Sequence, residues 1–181
     1  MPWKNGGGET AEIVVAPVAA PLDAFDWRIS MARVDGDGPF SAFAGIERTL
    51  AVLAGEGIRL QVAGRDAVEL TPGSAPYSFP ADLATRAALL GGPITDFNVM
   101  TRRGRVSQSV RRERLSAASS VPAGALVTVI FCVDGRLQAS SATATLSVGL
   151  RDTVLFGPED APVSIVPDPE ATVLLVEIAA E

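Results

Sequence analysis

The sequence predicts an all-β protein built from barrels or sandwiches, and three observations carry that reading. Short segments rich in Val, Ile and Leu alternate with Gly, Pro, Asp and Ser punctuation at spacings of roughly ten residues. Thirteen prolines and seventeen glycines among 181 residues interrupt any long helical period. The two halves of the chain also echo one another, which predicts a duplicated barrel.

Taken in order, the predicted strands of the first half are Glu12–Val15, Asp26–Val34, Glu47–Leu53, Ile58–Val62, Ala67–Leu70, Tyr77–Phe79, Thr85–Leu90 and Phe97–Thr101. Those of the second half are Ser107–Leu115, Ala125–Val133, Arg136–Ser140, Ala144–Val148, Asp152–Phe156, Val163–Val166 and Thr172–Ile178. Only Pro39–Gly45 and Arg111–Ala118 read as helical, and both are short. Leu53-Ala-Gly-Glu-Gly-Ile-Arg-Leu-Gln61 echoes Cys132-Val-Asp-Gly-Arg-Leu-Gln138. Gly57 and Gly135 then fall between paired strands, where a positive φ is cheap only for glycine. Leu70-Thr-Pro-Gly73 matches Leu146-Ser-Val-Gly149, and Ser78-Phe-Pro80 matches Leu155-Phe-Gly-Pro158.

Composition narrows the function. Hydrophobic residues make up 48% and charged residues 20%, an ordinary globular balance. The net charge of −6 gives no electrostatic reason to expect nucleic acid or an anionic membrane as partner. Cys132 is the only cysteine, so no internal disulfide can form, and its apolar surroundings predict a buried, inert thiol. No basic segment followed by an apolar one marks a secretory signal, and no apolar run is long enough to span a bilayer; a cytoplasmic location is expected. The chain has no histidine. Metal sites built on imidazole, and Ser–His–Asp or Cys–His hydrolases, are therefore excluded, and no calcium-loop spacing of acids is present; no cofactor or metal is expected.

Several segments could hold a small molecule. Pro2-Trp3-Lys4-Asn5-Gly6-Gly7-Gly8 contains the chain's single lysine beside a tryptophan and three glycines whose amides can converge on an anion. Arg48 begins an otherwise apolar strand, and its planar fork suits a carboxylate, although an ordinary surface charge is the alternative. In Trp27–Val34 the two-residue period sets Trp27, Ile29 and Met31 on one face and Arg28, Ser30 and Ala32 on the other. Asp96, Asn98 and Met100 likewise share a face, opposite Phe97 and Val99. Six arginines lie between Arg102 and Arg114 with no aromatic residue interleaved, which reads as a solvated connection rather than a nucleic-acid surface.

Taken together, these segments resemble the HutD/Ves family. The match runs through Pro2–Gly8, Trp27-Arg-Ile-Ser30, Asp37-Gly-Pro-Phe-Ser41, Gly45-Ile-Glu-Arg-Thr-Leu50, Leu70-Thr-Pro-Gly73 and Asp96-Phe-Asn-Val-Met-Thr-Arg102, in order along nearly the whole chain. The resemblance implies a bicupin: two fused cupin-like β-barrels or sandwiches with only short helices. The expected organisation is a first barrel over 1–101, an Arg-rich connection over 102–118 and a second barrel over 119–181. Relatives carry further residues ahead of the Trp-Lys-Asn-Gly motif, so the resemblance implies an upstream start or a missing first strand. It further implies a metal-free, cytoplasmic, ligand-binding regulator of histidine catabolism that takes a small carboxylate such as urocanate, formylglutamate or formiminoglutamate. The expected ligand-binding residues are Trp3, Lys4, Asn5, Gly6, Ser30, Arg48, Asn98 and Met100. No catalytic residue is assigned, and a homodimer is compatible with these readings. The competing readings are a metal-free isomerase or lyase using Lys4, Asp96 or Tyr77 to carry a proton, and a structural stress-induced protein.

Overall fold

The structure is a computed structural model that describes residues 8–122 and 124–181. Strand accounts for 62% of it and helix for 2%. The strands are β1 (Gly8–Ala16), β2 (Trp27–Val34), β3 (Gly38–Pro39), β4 (Ile46–Ala54), β5 (Ile58–Val62), β6 (Val68–Leu70), β7 (Tyr77–Pro80), β8 (Thr85–Leu89) and β9 (Ile94–Arg102). They continue as β10 (Val106–Leu115), β11 (Ser119–Val121), β12 (Val127–Ser140), β13 (Thr145–Val148), β14 (Thr153–Phe156) and β15 (Val163–Ala180), with one 3₁₀ turn at Pro158–Asp160. The chain divides into two compact units, 1–106 and 107–181.

The first unit pairs a five-stranded sheet, ordered β1-β2-β9-β4-β7, with a four-stranded one, ordered β3-β8-β5-β6. Their facing side chains close on one apolar cluster. Val34, Leu50, Val52, Phe79 and Ile94 come from the first sheet, and Ile58, Leu60, Val62, Leu70 and Ala87 from the second. A second cluster of Val15, Phe25, Ile46, Ala81 and Met100 fills one end. Strand β9 lies between β2 and β4 and is buried on both faces, from Ile94 to Thr101 apart from Thr95.

The second unit is organised by two long antiparallel strands, β12 and β15, which pair along almost their whole length. Sequence reading splits each of them in two, because Asp134-Gly135 and Pro167–Glu170 look like turns. In the structure these are bulged bends inside continuous strands, with register shifts at Cys132/Asp134 and Gly135/Leu137. The interior cluster runs from Leu115 through Ile130, Leu137, Phe156 and Val173 to Leu175. Cys132 belongs to it, fully buried, and burial pushes its thiol pKa up.

Neither segment read as helical is a helix. The amides of Phe40 and Phe43 donate to the carbonyls of Thr85 and Ala81, each at 2.9 Å, so neighbouring strands take the bonds a helix would need. Arg111–Leu115 is the end of β10, inside the stretch expected to be a connection. There Leu115 packs into the core, while Arg111 reaches Glu177 at 2.7 Å and Arg114 reaches Glu170 at 2.7 Å. The nearby arginines are engaged as well: Arg105 pairs with Asp26, Arg103 with Asp82, and Arg102 donates to the Phe25 carbonyl.

The echo between halves has a shared physical cause at two glycines. Gly57 (φ +127°) and Gly135 (φ +80°) each lie where a Cβ would strike a facing carbonyl, Leu70 O at 2.4 Å and Glu170 O at 2.3 Å respectively. Only glycine lets the chain pass that close in that conformation. Gly135→Ala is therefore expected to lower unfolding free energy by about 2–4 kcal/mol, combining strain with overpacking. Gly92→Ala, with open space around it, should stay within about 0.5 kcal/mol of wild type in the same denaturant titration.

Candidate functional site

The register of three strands builds a polar row in the first unit. On one side of β9, Arg28, Ser30 and Ala32 of β2 pair with Met100, Asn98 and Asp96. On the other, Arg48, Leu50 and Val52 of β4 pair with the same three residues. Paired residues in antiparallel strands project to the same side, so all nine side chains share one face. Strand β1 adds Glu12 opposite Ser30, and β7 adds Phe79 opposite Arg48. Leu50 and Val52 belong to the apolar cluster on one flank, and Met100 to that on the other.

Within this row the polar groups form two linked sets. Arg48 donates from Nε and Nη2 to Asn98 Oδ1, at 2.8 and 2.6 Å, and Asn98 Nδ2 donates to Asp96 Oδ1 at 2.6 Å. The amide can point only one way, because a guanidinium only donates and a carboxylate only accepts. Beside it, Arg28 Nε donates to Glu12 Oε2 at 2.7 Å and Nη1 donates to Ser30 Oγ at 3.3 Å. The Arg48 guanidinium lies 4.5 Å from the Phe40 ring centroid and 5.9 Å from that of Phe79. These are cation–π distances on the flat face that arginine offers.

Burial shapes the charges. Asp96 is 1% exposed, and loss of water pushes its carboxyl up to about 6, against the opposing pull of Arg48, the Asn98 hydrogen bond and the Ala32 amide. Burial also lowers Arg48, to about 10; Asp96 opposes the shift and Arg28 adds to it. At neutral pH Arg48 is thus a cation, while Asp96 stands close to its titration.

Of the residues expected from sequence, Ser30, Arg48, Asn98 and Met100 come together here. Arg48 is half-buried and bonded to Asn98, so it is not a free surface charge. Trp3, Lys4, Asn5 and Gly6 lie outside the described residues. Sequence periodicity places Asp96 on the shared face, outside the expected ligand-binding set, and does not single out Glu12, Phe40 or Phe79, which the structure adds to the row. Arg28 and Asp96 were recognisable in principle, since an Arg-x-Ser and an Asp-x-Asn-x-Met alternate on adjacent strands. Tyr77 is half-buried and stacks on Phe79 at 6.0 Å, packed against the apolar cluster. Among the described residues there is no group of three or more His, Cys, Asp or Glu placed to hold a metal, and no helix long and apolar enough to cross a membrane.

Two antiparallel β units of this kind, each with its own apolar core, define a two-barrel cupin. A cupin conserved-barrel protein from Leptotrichia buccalis superposes with a TM-score of 0.62 at 10% identity, covering 94% of this chain and 88% of that one. That likeness establishes the fold alone. More specifically, the chain belongs to the HutD family, whose model matches residues 1–174. An uncharacterised 21.2 kDa protein of the hutC 3′ region in Pseudomonas putida is 37% identical over 84% of this chain and 78% of its own length. Protein Ves of Citrobacter koseri is 34% identical over 81% and 74%. HutD from Pseudomonas fluorescens, solved in a formate condition, superposes with a TM-score of 0.82 at 29% identity, covering 100% of this chain and 93% of that one.

The charge balance predicts how Arg48→Met behaves. A carboxyl raised above its unfolded value contributes stability that is complete below about pH 4 and lost as pH rises through about 6. Removing Arg48 takes away the cation that holds Asp96 down, so its pKa climbs further and the loss deepens at high pH. Urea titrations should show Arg48→Met destabilised by about 3–5 kcal/mol at pH 8, where a buried carboxylate is left unpaired. The deficit should shrink steadily toward pH 5.

Proposed function

We propose that the protein is a metal-free binder of a small carboxylate, held at Arg48 in the first barrel, and that it acts as a regulator in histidine utilisation. One observation carries the reading: a half-buried guanidinium, seated over an aromatic ring and oriented through Asn98 by a buried carboxylate. Arginine's fork matches a carboxylate with two parallel hydrogen bonds, and its five N–H donors exceed the two that Asn98 engages. A low-dielectric surround strengthens such a contact, and the flanking Leu50, Val52 and Met100 exclude water. Membership of the HutD family, and a relative in the hutC region of Pseudomonas putida, support histidine utilisation as the setting. Urocanate, formylglutamate and formiminoglutamate are the carboxylates of that setting to test first.

Thermal unfolding decides the matter. A ligand present at about a hundred times its Kd stabilises by about 2.7 kcal/mol, equivalent to a rise of about 5–10 °C for a chain of this size. At least one of the three compounds should produce such a rise in wild type. Arg48→Lys, which keeps the charge but loses the fork, should reduce the rise measured from its own baseline by more than half. No shift with any compound, or an undiminished shift in Arg48→Lys, overturns the proposal.

The second reading is an isomerase or lyase. It is favoured by the Asp96 carboxyl, which at about 6 is poised for proton transfer near neutral pH. Conversion of any of the three compounds, abolished by Asp96→Asn, would move the assignment there.

A further inference from the structure

We propose that an anion binding at Arg48 brings one proton into the protein, and that Asp96 accepts it; the inference rests on the anion site proposed above. The argument begins with every titratable or charged group that the strands turn toward this interior. Strand β1 supplies Glu12, β2 Arg28, β4 Arg48, β7 Tyr77 and β9 Asp96. Strands β5 and β8 turn Arg59 and Arg86 outward and line the interior with Ile58, Leu60, Val62 and Ala87. Strand β6 contributes Leu70 and keeps Glu69 exposed against Arg59, and β3 carries no charge. Among the described residues, then, two cations face two carboxylates.

The two pairs differ in their access to water. Glu12 bonds Arg28 directly and its side chain keeps 44% of its surface exposed. Asp96 reaches Arg48 only through the Asn98 amide and is 1% exposed. A ligand carboxylate on Arg48 therefore makes a second claim on a single positive charge, and leaves one negative charge in excess where solvent cannot screen it. Neutralising Asp96 removes that excess without disturbing the site. The proton comes from solvent onto Asp96 Oδ2, while Oδ1, now a carbonyl oxygen, still accepts from Asn98 Nδ2. Asn98 Oδ1 thus remains turned toward Arg48. The carboxyl of Asp96, already raised to about 6 without a ligand, lies in the range where a nearby anion completes its protonation at neutral pH.

Calorimetry with formate and with formylglutamate tests this, because neither probe titrates between pH 5.5 and 8. Each is titrated into wild-type protein in two buffers of unlike ionisation enthalpy, which yields the number of protons taken up. At pH 7 that number should be close to one, and above pH 7 the Kd should weaken by nearly tenfold per pH unit. Asp96→Asn, which stands in for the protonated carboxyl, should bind with a flat pH profile and no proton uptake, and Glu12→Gln should keep the uptake. If Asp96→Asn does not fold, the wild-type proton number and the Glu12→Gln comparison still decide. Binding with no proton uptake and a flat profile in wild type overturns this inference and leaves the anion site standing. Uptake that disappears in Glu12→Gln overturns the assignment to Asp96. Absence of binding by both probes at every pH overturns the inference and the anion site together.

Discussion

A carboxylate and two guanidinium groups inside a β-barrel cannot be held there by the hydrophobic effect; each must find a partner within the fold. Isolated burial of any one would cost several kcal/mol, so the Arg48–Asn98–Asp96 chain constrains everything around it. Asn98 must project to the same side as its neighbours, so β9 must keep its register with both β2 and β4. A slip of one residue would replace Asp96, Asn98 and Met100 on this face with Phe97, Val99 and Thr101. The network would then lose every partner at once. The arginine–amide–carboxylate contact thus specifies the strand pairing as well as the chemistry.

The same requirement accounts for the position of β9. An edge strand could not bring partners from two sides, and it would leave Asp96 close to water, where its carboxyl would titrate in the ordinary range. Placed between β2 and β4, β9 receives Ser30 and Arg28 from one neighbour and Arg48 from the other. Apolar clusters lie beyond the row on both flanks. These clusters serve stability directly, and they keep the dielectric low enough for one charge to sense another through an intervening amide.

Much of this was legible in the sequence, for reasons of periodicity. Alternation of two residues placed Arg28, Ser30 and Ala32 on one face and Asp96, Asn98 and Met100 on another, and the fold needed only to bring those faces together. The resemblance to the HutD/Ves family groups Arg48, Ser30, Asn98 and Met100 as expected ligand-binding residues, and the strand register brings those four to one face. What could not be read was the pairing between distant strands. Glu12 and Arg28 are sixteen residues apart, and Arg48 and Asn98 fifty, and nothing local marks either pair. Phe40 escaped notice because its neighbours Pro39 and Phe43 suggested a helical turn, when tertiary bonds to Thr85 and Ala81 hold the segment as a loop. The long β12 and β15 were divided because glycine and proline inside a bulged strand carry the same local signal as a hairpin turn.

The two units have used one architecture differently. Both keep a glycine where the chain passes close to a facing carbonyl, at Gly57 and Gly135, which is a backbone demand that no side chain can relieve. Their interiors diverge. Among the described residues the buried charged side chains, Arg28 and Asp96, are in the first unit, and the second unit's only buried polar residue is Thr128. Charge is expensive to bury, and it is retained in one unit where the other manages with an apolar cluster from Leu115 to Leu175. Without histidine, the groups left to work in that interior are of two kinds. Arginine stays cationic at any physiological pH and serves as a fixed attractor. A buried carboxylate can change its charge near neutrality. Joined through one amide, the two give the first barrel a permanent positive centre beside a carboxyl whose charge can change near neutrality.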